Sequence, residues 1–184
     1  MADKNNKAIV EISKKLSLVL RHKPESIGLI LDQQGWANVE MLIQKLNAIG
    51  IKLDSELLQQ VVSDNNKSRF AYNDDKTRIR ASQGHSIIVD LGYTAHVPPA
   101  VLYHGTGEQY ISSILTEGIL KMNRHHVHLS ANVETAEQVA KRKGKPAILK
   151  IEAAKMYDEG FVFFISANNV WLTDYVPAEF ISIN

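Results

Sequence analysis

Cysteine is absent from all 184 residues, which removes disulfides, thiolate nucleophiles and Cys-ligated zinc together. Long apolar runs are missing too. No stretch approaches the roughly 20 continuous apolar residues of a membrane span, and the opening MADKNNKAIVEISKK lacks the apolar core of a secretory signal. A cytoplasmic protein is expected on that ground. An excess of one charge is also lacking: 21 Lys and Arg stand against 20 Asp and Glu, for a formal net charge of +1. Such a balance excludes a protein that coats duplex nucleic acid through a broad basic field, but it leaves room for a local cationic pocket. There is no internal repeat and no low-complexity tract. What remains, 45% hydrophobic and 22% charged, is ordinary globular composition, and the length suits one domain or two small ones.

Hydrophobic spacing divides the chain into two halves. Ile9, Ile12, Leu16, Val19 and Leu20 recur at helical spacing, so a helix is predicted over 7–22, stopped by the run LRHKP because Pro24 cannot continue it. Ile27, Leu29 and Leu31 alternate as in a short strand. DQQGW then turns the chain. Asn38 is placed to cap a helix carrying Val39, Leu42, Ile43 and Leu46, with Gly50 at its left-handed end. Asp54 is placed to cap another, carrying Leu57, Leu58, Val61 and Val62 and ended by the polar run SDNNK. SRFAY and TRIRA flank the turn cluster NDDK as a β-hairpin. Helices followed by a hairpin suggest a winged-helix module over 1–84, and the mixed segment 85–97 reads as a linker. From 98 to 184 strand patterns dominate: AVLYHGTG runs into a glycine-rich turn, a helix carries Tyr110, Ile111, Ile114 and Leu115, and HVHLS is a strand. Asn132 caps a further helix, after which AILKIEA, FVFFIS, NVWLT and AEFISI are strand candidates. The fold class is α+β.

Arginines and histidines are the candidates for chemistry. Arg21 and His22 close the first helix, Arg69 opens a hairpin strand, Arg80 leaves that hairpin and Arg124 precedes HHVHLS. An isolated arginine is usually a solvated charge or a cap, yet several from different elements can surround one phosphoryl group, because the planar guanidinium fork matches phosphate bidentately. A histidine at a helix C-terminus tends to stay protonated, which suits a phosphate ligand or general acid. His125, His126 and His128, with His104, invite a zinc reading. On a strand, however, His126 and His128 share one face while His125 points to the other, and no acidic residue lies near to complete the set, so no metal is expected. The alternatives are core histidines with satisfied hydrogen bonds or histidines that hydrogen-bond a ligand. YHGTG lacks both the P-loop and the Rossmann glycine spacing. Its glycines would still let backbone N–H groups approach a flat or anionic ligand.

In chain order, LSLVLRHKP, Gly35-Trp36, Arg69-Phe70, IRASQGHS, LYHGT, RHHVHLS and VWLT resemble the RNA 2′-phosphotransferases, which remove the 2′-phosphate left at a splice junction in transfer RNA. The resemblance runs from Leu16 to Thr173. It implies a winged-helix lobe and an ADP-ribosyltransferase-like lobe of mixed β structure that binds NAD⁺, with RNA between them. It places the catalytic quartet on Arg21, His22, Arg69 and Arg124, one NAD⁺ motif on His104, Gly105 and Thr106, and a second on His128, Leu129 and Ser130. The implied reaction has two steps. The RNA 2′-phosphate attacks the anomeric carbon of NAD⁺ and expels nicotinamide; the ribose 2″-hydroxyl then attacks phosphorus, giving RNA with a 2′-hydroxyl and ADP-ribose 1″,2″-cyclic phosphate. The implied partner is RNA carrying a 2′-phosphate, with no obligatory protein partner and no membrane. His22 as proton donor to the departing RNA oxygen follows from its chemistry.

Two other readings compete. A non-catalytic winged-helix regulator would need a recognition helix rich in base-reading side chains, and NVEMLIQKLNAIG with SELLQQVVSDNN contains one lysine between them. An enzyme that stops after the first step would cap nucleic-acid phosphate ends with ADP-ribose. A protein-modifying role is disfavoured, since NNVWLT carries Val170 where toxin-like ADP-ribosyltransferases carry glutamate.

Overall fold

A computed structural model describes residues 2–64 and 68–184, with side chains from residue 8 onward. The chain separates into two compact units, Met1–Gly92 and Tyr93–Asn184. Both mix helices with small antiparallel sheets, so the chain is α+β.

The first unit opens with α1 (Ala2–Arg21), whose apolar stripe buries Ile12, Leu16, Val19 and Leu20. Removing such side chains from water stabilises the unit by roughly 1.5–3 kcal/mol each. The helix stops as expected: Lys23 N–H reaches back to Leu18 O at 2.8 Å and Pro24 follows. The strand expected over 27–31 does not form. Pro24–Ile27 is instead a 3₁₀ turn, closed by Gly28 N–H to Glu25 O and Leu29 N–H to Pro24 O, both 3.0 Å. Proline at its first position and Gly28 in the left-handed region (φ +62°) outweigh the alternation, and Ile30 stays 85% exposed. Asp32 then accepts from the N–H groups of Gln34 and Trp36, 2.9 Å each, to make the DQQGW turn.

Strand β1 (Ala37–Asn38) leads into α2 (Val39–Ala48), capped by the Asn38 side chain on Met41 N–H at 2.9 Å. Helix α3 (Ser55–Ser63) is capped by Asp54 on Leu57 N–H at 2.8 Å. Residues 65–67 of the polar run after it lie outside the described residues. The hairpin forms as β2 (Phe70–Tyr72) and β3 (Arg78–Ala81), with β1 added on the other side of β3 to give the order β1-β3-β2. Leu42, Leu46, Leu58, Phe70 and Ile79 join the α1 stripe in one core.

In the second unit β4 (Leu102–Gly107) is followed by α4 (Ile111–Glu117), β5 (Ile119–Leu120), β6 (Val127–Leu129) and α5 (Val133–Ala140). Then come β7 (Pro146–Ile151), α6 (Ala153–Asp158), β8 (Phe164–Ile165), β9 (Trp171–Thr173), β10 (Tyr175–Val176) and β11 (Ile181–Ile183). They pair in three antiparallel sheets: β11-β7-β4, β6-β9-β8 and β10-β5. The glycines of YHGTG lie inside β4 rather than in a turn after it, each paired across to β7. FVFFIS and AEFISI are strand only in part, because Phe163 enters the core and Ala178–Phe180 forms a 3₁₀ turn.

Candidate active site

Two clusters gather the residues singled out above, one in each unit. In the first, α1 delivers Arg21 and His22 at its C-terminal end. The segment Ser82–Ser86 ties this end to the hairpin. Ser82 N–H donates to Arg69 O at 2.9 Å, Ser82 Oγ to Ser68 O at 2.8 Å, and Ser86 N–H to Arg21 O at 2.9 Å. The Arg21 guanidinium closes the ring by donating from Nη2 to Arg69 O at 3.3 Å, and its carbon lies 5.9 Å from the Phe70 ring centroid. Ser86 Oγ is 2.9 Å from His22 Nδ1. Three of the four quartet positions are thus tied to one another, Arg21 and Arg69 through their backbone carbonyls and His22 through the Ser86 side chain. Within IRASQGHS nothing local marks Ser86 as a partner of His22: it lies five residues beyond β3 and meets His22 only through the tertiary fold.

In the second unit, β4 and β6 bring both proposed NAD⁺ motifs together. Tyr103 and Ser130 exchange backbone hydrogen bonds of 2.8 Å, and His104 Nδ1 lies 3.1 Å from His128 O. A carbonyl only accepts, so His104 Nδ1 carries the proton, and in the neutral ring Nε2 is an acceptor. Burial favours that neutral ring and holds the His104 pKa below the ordinary histidine range; the His128 carbonyl opposes the shift, while Lys143 and Arg124 add to it. Arg124 itself is pushed down by burial and by Arg142. An anion beside these cations would offset their mutual repulsion, and His104 Nε2 is available in the neutral ring to accept from a hydroxyl.

The remaining motif positions separate by face. Thr106 is buried on the His104 side of β4, and the Leu129 side chain belongs to the core, so Leu129 offers a ligand only its backbone. Gly105 looks the other way. A Cβ there would run into the Ala136 carbonyl oxygen and lie 2.9 Å from Ala140 N, so this glycine permits α5 to press against β4 rather than leaving space for a ligand. His126 is a packing element: its ring meets Phe164 edge to face at 5.4 Å and Tyr93 at 6.0 Å, and burial holds its pKa down against the pull of Asp174. Among the described residues, no group of three or more His, Asp or Glu side chains is gathered so as to hold a metal ion. No helix among them is long and apolar enough to cross a membrane.

The sequence pattern described as "RNA 2'-phosphotransferase, Tpt1 / KptA family" matches residues 7–175. The chain belongs to the RNA 2′-phosphotransferase, Tpt1 / KptA family. Similar proteins from Flavobacterium johnsoniae and Fusobacterium nucleatum, each named "Probable RNA 2'-phosphotransferase", are 55% and 53% identical to it. The alignments cover 96% and 94% of this chain and 97% of each relative. A Burkholderia pseudomallei relative of the same name is 53% identical over 92% of both chains. This membership of the RNA 2′-phosphotransferase family spans both clusters, since the matched residues run from within α1 to the first residue of β10.

Proposed function

We propose that this protein removes an internal 2′-phosphate from RNA and transfers it to NAD⁺, by way of an ADP-ribosylated RNA 2′-phosphate. The products are RNA with a 2′-hydroxyl, ADP-ribose 1″,2″-cyclic phosphate and nicotinamide. On this reading residues 1–84 are a winged-helix RNA-binding lobe and 98–184 an ADP-ribosyltransferase-like NAD⁺-binding lobe. The observation that carries it is the anchoring of Arg21, His22 and Arg69 to one another through Ser82–Ser86, in a chain of this family.

When bound, NAD⁺ supplies an electrophilic anomeric carbon with nicotinamide as its leaving group. His104 would accept a hydrogen bond at Nε2 from a ribose hydroxyl, and Lys143 would offset pyrophosphate charge. Gly105 and Thr106 set the path of β4 beside that ligand, and His128, Leu129 and Ser130 hold β6 to it. Arg21, Arg69 and Arg124 grip the RNA phosphate. A phosphate monoester is already an anionic nucleophile, so attack needs orientation and charge relief rather than a base. Phosphoryl transfer adds charge at the phosphate oxygens, which arginines stabilise, and the departing RNA 2′-oxygen takes a proton from His22. With Ser86 on Nδ1, that proton leaves from Nε2.

The test is stoichiometry. Incubation with NAD⁺ and an oligoribonucleotide bearing one internal 2′-phosphate should release one nicotinamide for each 2′-phosphate removed. Phosphate loss without nicotinamide release, or in the absence of NAD⁺, contradicts the reading.

A further inference from the structure

Gly35-Trp36 and Arg80 belong to the shared motifs, yet the chemistry above uses neither. In the sheet β1-β3-β2, Ala37 pairs with Ile79 and Asn38 with Arg78. Continuing that register by one residue sets Trp36 opposite Arg80, and the Arg80 guanidinium lies 4.4 Å from the indole centroid. On the other flank Arg80 pairs with Ala71. Alternation sends Phe70, Ile79 and Ala81 into the core and leaves Ala71, Arg78 and Arg80 on the outer face. Ser82 N–H to Arg69 O prolongs the pairing, so Arg69 falls on the same face as Ala71, about 7 Å farther along the strand.

We propose that this outer face is a seat for single-stranded RNA next to the 2′-phosphate, with one base stacked on the Arg80–Trp36 pair. The seat rests on the function proposed above. Arg80 is held in advance, by the indole beneath it and by Nη1 donating to Gln34 O at 3.4 Å, and it presents a flat cation on which any base can stack. Arg78 is likewise held, by Asp32 at 3.1 Å, the acid that also shapes the turn before Trp36. Ala71 is too small to obstruct the centre. Arg69 and Arg80 give the face the net charge that a phosphate backbone requires, Asp32 balancing Arg78. A duplex is a poorer occupant, because α2 and α3 carry one lysine between them with which to enter a groove.

The probes are a fluorescein-labelled hexaribonucleotide with an internal 2′-phosphate, the same strand without it, and the phosphorylated strand made abasic beside the phosphate. Arg80→Ala and Ala71→Glu should each weaken binding of the two intact strands about tenfold. Arg80→Lys, keeping the charge without the plane, should recover only part. On the abasic strand Arg80→Ala should lose only the smaller part that the charge supplies, and Arg80→Lys should bind like wild type. Thermal melts check folding, and Ala71→Glu, which spares the stacked pair, decides if Arg80→Ala unfolds. Full affinity in these variants, an equal loss on the abasic strand, or no binding of wild type to either intact strand overturns the seat. Stacking-dependent binding without nicotinamide release would instead uphold the seat and remove the proposed reaction.

Discussion

Ser86 is the side chain on which the placement of His22 turns. Its hydroxyl lies 2.9 Å from Nδ1 and its N–H holds the Arg21 carbonyl, so Ser86→Ala removes the ring contact while sparing the backbone anchor. Ser86→Ala should lower the rate of the second step about tenfold or more, move its pH profile and leave the NAD⁺ concentration for half saturation unchanged. Ser86→Thr, which keeps the hydroxyl, should recover much of the loss. An unchanged pH profile in single-turnover measurements would show that the contact does not position the ring. His104 makes a different prediction. Its folded pKa lies below the ordinary value of 6.5, and that of His126 does too. The unfolded chain therefore binds these protons first as pH falls. The stability that the two rings contribute is complete above about 6.5 and declines as pH drops from there through their folded values. Melting curves from pH 7.5 to 5 should show a falling midpoint, and His104→Gln should flatten that fall; a midpoint in His104→Gln as pH-sensitive as in wild type would contradict the assignment.

At the scale of elements, the contact of β4 with α5 leaves no room for a side chain at position 105. Gly105→Ala should destabilise the protein by about 3 kcal/mol, read as a lower denaturation midpoint, because the obstacle is the helix backbone and not a flexible side chain. A variant as stable as wild type would mean that α5 yields freely. This glycine also shows where sequence reading stops. Helix periodicity and caps were legible: Asn38, Asp54 and Asn132 each accept the backbone N–H expected of an N-cap. Those signals are local. The strand predicted over 27–31 failed because a proline and a left-handed glycine, also local, won over alternation. Gly105 resembled a turn glycine, yet its reason lies in a helix about thirty residues away, which no window around YHGTG contains. The histidine runs were visible, and the contact of His128 Nδ1 with the His126 carbonyl is local, while the bond from His104 to the His128 carbonyl depends on bringing β4 and β6 together.

At the scale of the whole molecule, the chain divides between Gly92 and Tyr93, with Arg21, His22 and Arg69 in one unit and His104, His128 and Arg124 in the other. If the reaction proposed above needs both sets, a chain severed near residue 93 should yield two pieces that are each inactive, even where circular dichroism shows them folded. A C-terminal piece that turns over the 2′-phosphorylated strand by itself would assign all the chemistry to one unit. The central claim is the path of a single phosphorus atom. It is tested most directly by a single-turnover time course with radiolabel in the RNA 2′-phosphate, comparing wild type with His22→Ala. In wild type with NAD⁺ the label should pass from RNA to a small cyclic phosphate of ADP-ribose. In folded His22→Ala it should stall on RNA as an ADP-ribosylated 2′-phosphate. Label leaving as inorganic phosphate, or leaving without NAD⁺, would contradict the account, as would equal slowing of both steps in His22→Ala.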